Sequence, residues 1–314
     1  MRDIYCAVTD NDWFDYLRAR PGLREINFWK PTPQSFKAID EGGIFAFKLK
    51  APRSKIAGYG VLTTSADAQI NLAWDAFGEG NGHPDLQSFI DKIRQIRKSS
   101  EVNQYSFIGV RVLVHHAFFP EELWFDPPRD WADNIVTGKT YHRGTLAAEA
   151  LLLELEARSG GFAAAVARRD GIPGLMETPA AGYGAPIPVK PRLGQGTFRI
   201  NVTRAYGNEC AVSGTRVTPA LDAAHIKPFA LGGDHSIQNG ILLRKDIHSV
   251  FDAGFATIDD QGRLVVSSQV KSIFNNGNEY RRLHGKQMRL PKNADWRPSE
   301  EFLLWHRNER YMGD

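Results

Sequence analysis

Hydrophobic and polar positions fall into three kinds of pattern along the chain. Over residues 1–142, short runs rich in β-branched and aromatic residues alternate with turns containing glycine and proline: GIFAFKLK (43–50), KIAGYGVL (55–62) and SFIGVRVLVHHAFF (106–119). Their length and composition predict strands. Two stretches with helical spacing interrupt them, INLAWDAFG (70–78) and LQSFIDKIRQIR (86–97). A second zone, TLAAEALLLELEARSGGFAAAVARR (145–169), is helical in pattern with a break at Gly160-Gly161. METPAAGYGAPIPVKPRLGQG (176–196) is rich in Pro, Gly and Ala and has no period, so it reads as a linker. In the third zone LDAAHI (221–226) predicts a strand and KPFALGGDHSIQ a loop turning at Gly232-Gly233. GILL (240–243) predicts a returning strand and RKDIHSVFDAG (244–254) a helix, with Ile247, Val250 and Phe251 at i, i+3, i+4 and Gly254 as the stop. The expected class is α+β. A β-rich domain spans 1–142, a helical segment and linker 143–196, and a second domain 197–314.

Composition narrows this only slightly. Hydrophobic residues at 42% and charged residues at 24% are ordinary for a globular chain long enough for two cores. No run of eighteen apolar residues marks a membrane span, and MRDIYCAVTDNDWF has no signal-peptide pattern. A cytoplasmic protein is the expectation. Cys6 and Cys210 are the only cysteines, too few for a disulfide framework or a CxxC knuckle. The net charge of +3 permits a nucleic-acid partner without requiring one.

The chemistry-bearing residues concentrate in the third zone. The strand, loop, strand, helix order places a strand histidine, His225, beside a helix histidine, His248, with Asn239 between them. His225, Pro228, Gly232-Gly233, Asn239 and His248, flanked by ECAVSG (209–214) and VFDAGFATID (250–259), resemble the HNH endonuclease motif, a ββα-metal nuclease fold. The resemblance implies His225 as general base, since histidine can deprotonate water near neutral pH. It implies His248 as ligand to a divalent cation, Mg²⁺ or Mn²⁺, that offsets charge on the phosphate. It implies Asn239 as the residue that ties the loop backbone and so holds His225 in register. Ser213, Arg244 and Ile247 stand where zinc-bearing members carry cysteine, so no structural zinc is expected. Many members also place a metal-binding Asp directly before the general base, where this chain has Ala224. Asp222, two residues earlier on the same strand face, is expected to supply that carboxylate, with Asp246 as the alternative. His235 reads as an exposed loop residue. Arg281, Arg282, Lys286 and Arg289 read equally as contacts to a nucleic-acid backbone or as a solvated face.

The first zone resembles, more loosely, the N-terminal region of bacterial HNH proteins related to PUA-like and SRA-like modified-base readers. INFWKP (26–31), FKLKAP (47–52), IAGYGVL (56–62), AWDAFGEGNG (73–82) and NIVTGKTY (134–141) carry the likeness. A base flipped from its stack needs planar walls, polar groups for its edge and cations for its phosphates. Candidate walls are Trp29, Tyr59, Trp74 and Tyr141. Candidate edge readers are Asp75, Asn81 and Asn134, and candidate phosphate contacts are Lys30, Lys48, Lys50 and Lys139. For each aromatic, packing in the core is the competing expectation.

Together these imply a modification-dependent endonuclease acting on double-stranded DNA with modified cytosine, working as a homodimer and away from membranes. Two other readings fit the same residues. One is an HNH effector whose first domain senses a nucleotide or a protein. The other is a non-catalytic DNA-binding protein in which Ala224 marks a lost metal site.

Overall fold

The strand IYCAVT carries almost no polar residue, and it is buried on both faces. Such a strand needs cover on both sides. The computed structural model, which describes residues 3–159 and 194–313, supplies that cover. The chain divides into two units, Met1–Arg192 and Leu193–Asp314.

In the first unit β1 (Ile4–Thr9), β2 (Glu25–Asn27), β3 (Ile44–Leu49), β4 (Ile56–Gln69), β5 (Phe107–Phe118) and β6 (Gly138–Tyr141) form one sheet in the order β2-β5-β4-β3-β1-β6. Only β1 and β3 run parallel. Alternation along β3 sends Phe45 and Phe47 to one face and Ile44 and Ala46 to the other. The first face packs on α1 (Asn11–Arg18) through Phe14 and Leu17; the second packs on α4 (Leu146–Ser159) through Leu151, Leu152 and Leu155. Each such side chain taken out of water contributes about 1.5–3 kcal/mol. The helices anticipated over 70–78 and 86–97 are α2 (Ile70–Phe77) and α3 (Leu86–Arg97). Between β4 and β5, Gly60 opposes both His115 and His116, a bulge that sets His115 at φ 48°. Residues 160–169 of the helical stretch and 176–193 of the linker lie outside the described residues.

The second unit is built on a hairpin of β7 (Leu221–His225) and β8 (Gly240–Arg244), in antiparallel register from Leu221 opposite Arg244 to His225 opposite Gly240. Before it comes α5 (Gln195–Ala205), which falls where the sequence suggested the end of a linker. After it comes α6 (Lys245–Asp252). Phe198, Val202, Leu221, Ala224, Ile241, Leu243, Ile247 and Phe251 close a single apolar core between these elements. Cys210 is buried there and its sulfur accepts from the amides of Ser213 and Arg244. His306 is packed flat on Phe251 at 3.7 Å.

Candidate active site

Register alone puts His225 at the end of β7 across from Gly240. A Cβ on Gly240 would stand 2.3 Å from Val202 and 2.9 Å from Phe198, so only glycine lets α5 press this closely on the hairpin. The consequence is a floor for the site. The Phe198 ring lies flat under His225, with centroids 3.8 Å apart and planes within 10°.

The loop between the strands folds back over the same histidine. Asn239 is fully buried and fixes it by three hydrogen bonds: it accepts from the Lys227 amide (2.8 Å) and donates to the carbonyls of Lys227 (2.9 Å) and Asp234 (2.8 Å). Gly233 permits the closure, since a Cβ there would sit 1.9 Å from the Lys227 carbonyl. Folded this way, the loop delivers His235 to the site. Its Nδ1 lies 3.0 Å from His225 Nε2, and its ring stacks on Phe229 at 4.9 Å. The sequence placed His235 among exposed loop residues; it is half-buried and bonded to His225. Burial above all, then the neighbouring His235 and His248 charges, pushes His225 down to about 4. At neutral pH it is an uncharged imidazole.

His248 is held in the opposite state. From α6 it reaches Asp222 on β7 with Nδ1 (3.0 Å) and Asp252, one helical turn on, with Nε2 (3.1 Å). Burial pulls its pKa down, but the two carboxylates outweigh that and raise it to about 9. Asp222 also pairs with Arg199 of α5 at 3.6 Å. Burial works to raise its pKa, but His248 and Arg199 hold it below the usual carboxylate range. Asp246, the alternative carboxylate, is taken up by both nitrogens of an Arg244 fork (2.7 and 2.6 Å), so its oxygens are spent on an ion pair.

Asp222 and Asp252 offer the carboxylate oxygens that a hard divalent cation prefers, and His248 adds a softer imidazole nitrogen. Their facing atoms are spaced for hydrogen bonds to His248, and among the described residues no group of three or more such side chains already surrounds a common point. The donors fit in kind, and a cation would enter by displacing the His248 proton. Asp252, Arg199, Phe198 and His235 were not singled out from sequence. Asp252 had a readable signal, the i, i+4 spacing from His248 on a helix.

The candidates of the first unit sort differently. Tyr59 and Tyr141 are 2% and 3% exposed, inside the core against α4, so neither ring has a face open to a base. Asn81 is fully buried and spent. It accepts from Asn27 (2.8 Å) and donates to the carbonyls of Ala73 (3.0 Å) and Gly78 (2.8 Å). Trp29 and Trp74 are half-buried and meet on Phe89, at 5.2 and 6.4 Å. Asp75 and Asn134 are exposed. Among the lysines, Lys139 pairs with Asp130 at 2.7 Å and Lys50 with Asp10 at 2.9 Å, which neutralises them as phosphate contacts. Lys48 is largely buried over Trp131, whereas Lys30 is half-buried with no carboxylate within 4.0 Å among the described residues. In the second unit Arg281, Arg282 and Lys286 are exposed, and Arg289 pairs with Glu209 at 3.1 Å.

The model of the HNH endonuclease family matches residues 210–259, the segment that holds Asp222, His225, Asn239, His248 and Asp252. No curated protein matches the chain. Among solved structures, an ASCH protein from Zymomonas mobilis is 10% identical, covering 48% of this chain and 94% of its own at a TM-score of 0.31. A mutant of it is 9% identical, with 49% and 96% covered at 0.33. A modification dependent TagI restriction endonuclease is 12% identical, with 84% of this chain and 60% of that chain covered at 0.28. No helix among the described residues is long and apolar enough to cross a membrane.

Proposed function

We propose that this chain, whose residues 210–259 are an HNH endonuclease domain, is a divalent-metal-dependent DNA endonuclease directed to modified cytosine by its first unit. The observation that carries the nuclease half is the pairing, within one ββα unit, of a histidine kept neutral with a histidine kept between two carboxylates. His225, neutral and clamped between Phe198 and His235, takes a proton from the attacking water. The stack on Phe198 and the bond to His235 hold the ring as the water oxygen bonds to phosphorus and the sugar oxygen departs. Asp222, His248 and Asp252 would hold Mg²⁺ or Mn²⁺, which supplies positive charge against the phosphate and the departing oxygen. Asn239 acts through the loop backbone, keeping His225 and His235 together. Arg281, Arg282 and Lys286, exposed on the same unit, suit the DNA backbone.

The reader half rests on Trp29 and Trp74 as half-buried planar groups, with Asp75 and Asn134 exposed in the same unit. One ββα site cuts one strand, so cutting both strands of foreign DNA takes two copies of the chain.

The test is cleavage of plasmids carrying plain cytosine, 5-methylcytosine or 5-hydroxymethylcytosine, with Mg²⁺, with Mn²⁺ and with EDTA. The expected pattern is metal-dependent cutting of modified plasmid, lost in His225→Ala while duplex binding persists. Full activity of His225→Ala would overturn the catalytic assignment. Equal cutting of all three plasmids would remove the reader half alone.

A further inference from the structure

On the first unit, Arg111 of β5 is 3% exposed, and its Nε and Nη1 have no hydrogen-bond partner. No carboxylate of the described residues lies within 4.0 Å of it; Asp67, the nearest in influence, is exposed and accepts from the Gln34 amide instead. A buried guanidinium left like this is costly, and native chains keep such a group when something else completes it. Its closest neighbours are a lysine and aromatic rings, with the exposed Asp67 across from Gly109 on the same face. Backbone pairing sets Lys30 across from Gly109 and Phe28 beside Arg111. Arg111 and Lys30 therefore project from the same face of the sheet, and Gly109, across from Lys30, adds no side chain. Phe36 covers the guanidinium at 4.5 Å, and its ring contacts Tyr5 at 5.1 Å. Lys30 is itself desolvated, and burial followed by the Arg111 charge pulls it down to about 8. Two cations set among aromatic rings, with no carboxylate of the described residues in ion-pair contact, are a receptor for an anion with several acceptor oxygens.

We propose that Arg111 and Lys30 form a phosphate-binding site in the first unit, one that takes the phosphate of a nucleotide. The site is separate from the HNH residues, and it leans on the nuclease reading only for the expectation that the nucleotide belongs to DNA. Phe36 sits on residues 31–38, a segment without regular structure held by Arg97 donating to the Pro31 carbonyl, by the Gln34 amide on Asp67 and by Thr140 donating to the Ala38 carbonyl.

The same stretch of DNA or a free nucleotide could bring the phosphate, and calorimetry on the full chain in EDTA separates them. The probes are a short duplex, a nucleoside monophosphate and inorganic phosphate. Wild type binds the duplex, the monophosphate or both, and inorganic phosphate competes. Binding of the duplex alone assigns a backbone phosphate; displacement of duplex by the monophosphate assigns a free-nucleotide pocket. Arg111→Met and Lys30→Gln each weaken that binding by about tenfold or more. Arg111→Met leaves the melting temperature of the ligand-free protein unchanged or higher, because an apolar side chain of similar volume relieves the buried charge. A lower melting temperature with binding within about twofold of wild type would make Arg111 a structural cation and overturn the inference, as would failure of wild type to bind either nucleotide probe. Should Arg111→Met not fold, the half-buried Lys30→Gln decides by the same criterion. Plasmid cutting by the same preparations keeps the two readings apart. Phosphate binding without any cutting would sink the nuclease function and leave this site standing; cutting with unaltered binding in both variants would do the reverse.

Discussion

Replacing Asp252 with Asn tests the electrostatic account of His248 most directly. The carboxylates of Asp222 and Asp252 lift this histidine from 6.5 to about 9, a preference for the protonated form of about 3 kcal/mol. The two do not contribute equally. Asp252 is 51% exposed and Asp222 30%, so solvent screening leaves Asp252 about 1 kcal/mol. The sign follows from linkage. A pKa raised on folding stabilises fully below 6.5, and that stabilisation is lost as pH climbs through about 9. Asp252→Asn is therefore expected to cost about 1 kcal/mol at pH 6.5 and almost nothing above the pH at which wild-type His248 has lost its proton. Urea denaturation in EDTA, repeated across this pH range on both proteins, reads the difference, and proton NMR follows the His248 ring directly. Lys30, pulled down to about 8, titrates in the same window, but it is common to both proteins and cancels. A stability difference that does not change with pH, or a His248 titration that does not move down, would refute the reasoning.

Three further outcomes can be measured. Asn239→Ala strips three loop hydrogen bonds from a fully buried position and should destabilise the protein by about 2–3 kcal/mol in chemical denaturation; a loss below about 0.5 kcal/mol would mean that the loop holds itself. His235→Ala removes a charge that depresses His225, so the acid limb of the cleavage rate should move to higher pH while the rate falls about tenfold or more; an unshifted limb counts against the His225–His235 pair. Apparent Mn²⁺ affinity, measured by titration calorimetry, should rise as pH goes from 7 towards 9, because the cation competes with the His248 proton; a flat profile would place the cation elsewhere.

The placing of His225, Asn239, His248 and Asp222 in one ββα unit was legible in the sequence, because a hairpin followed at once by a helix leaves little freedom in where those residues go. His235 was misjudged for a physical reason. Its position depends on a loop closing on itself through Asn239 and Gly233, and no local periodicity records that. Sequence favours Asp222 over Asp246 only by strand alternation, whereas the fold engages Asp246 in an ion pair with Arg244. In the first unit the strands themselves were legible, yet the choice of open aromatic rings failed at Tyr59 and Tyr141. Alternation reveals a water-facing side only when one face of a sheet is wet; here α1 covers one face and α4 the other. Arg111 was invisible for the same reason, as one charged residue between Val110 and Val112 in a largely buried strand.

The floor beneath His225 bears on how portable the cutting machinery is. Phe198 and Arg199 belong to α5, which ends before the 210–259 segment begins. A fragment trimmed to that segment keeps every residue of the recognisable motif, yet the imidazole loses its stacking partner and Asp222 its arginine. The smallest transplantable cutting module therefore starts at or before Gln195, and comparing the melting temperatures of fragments begun on either side of α5 locates that border.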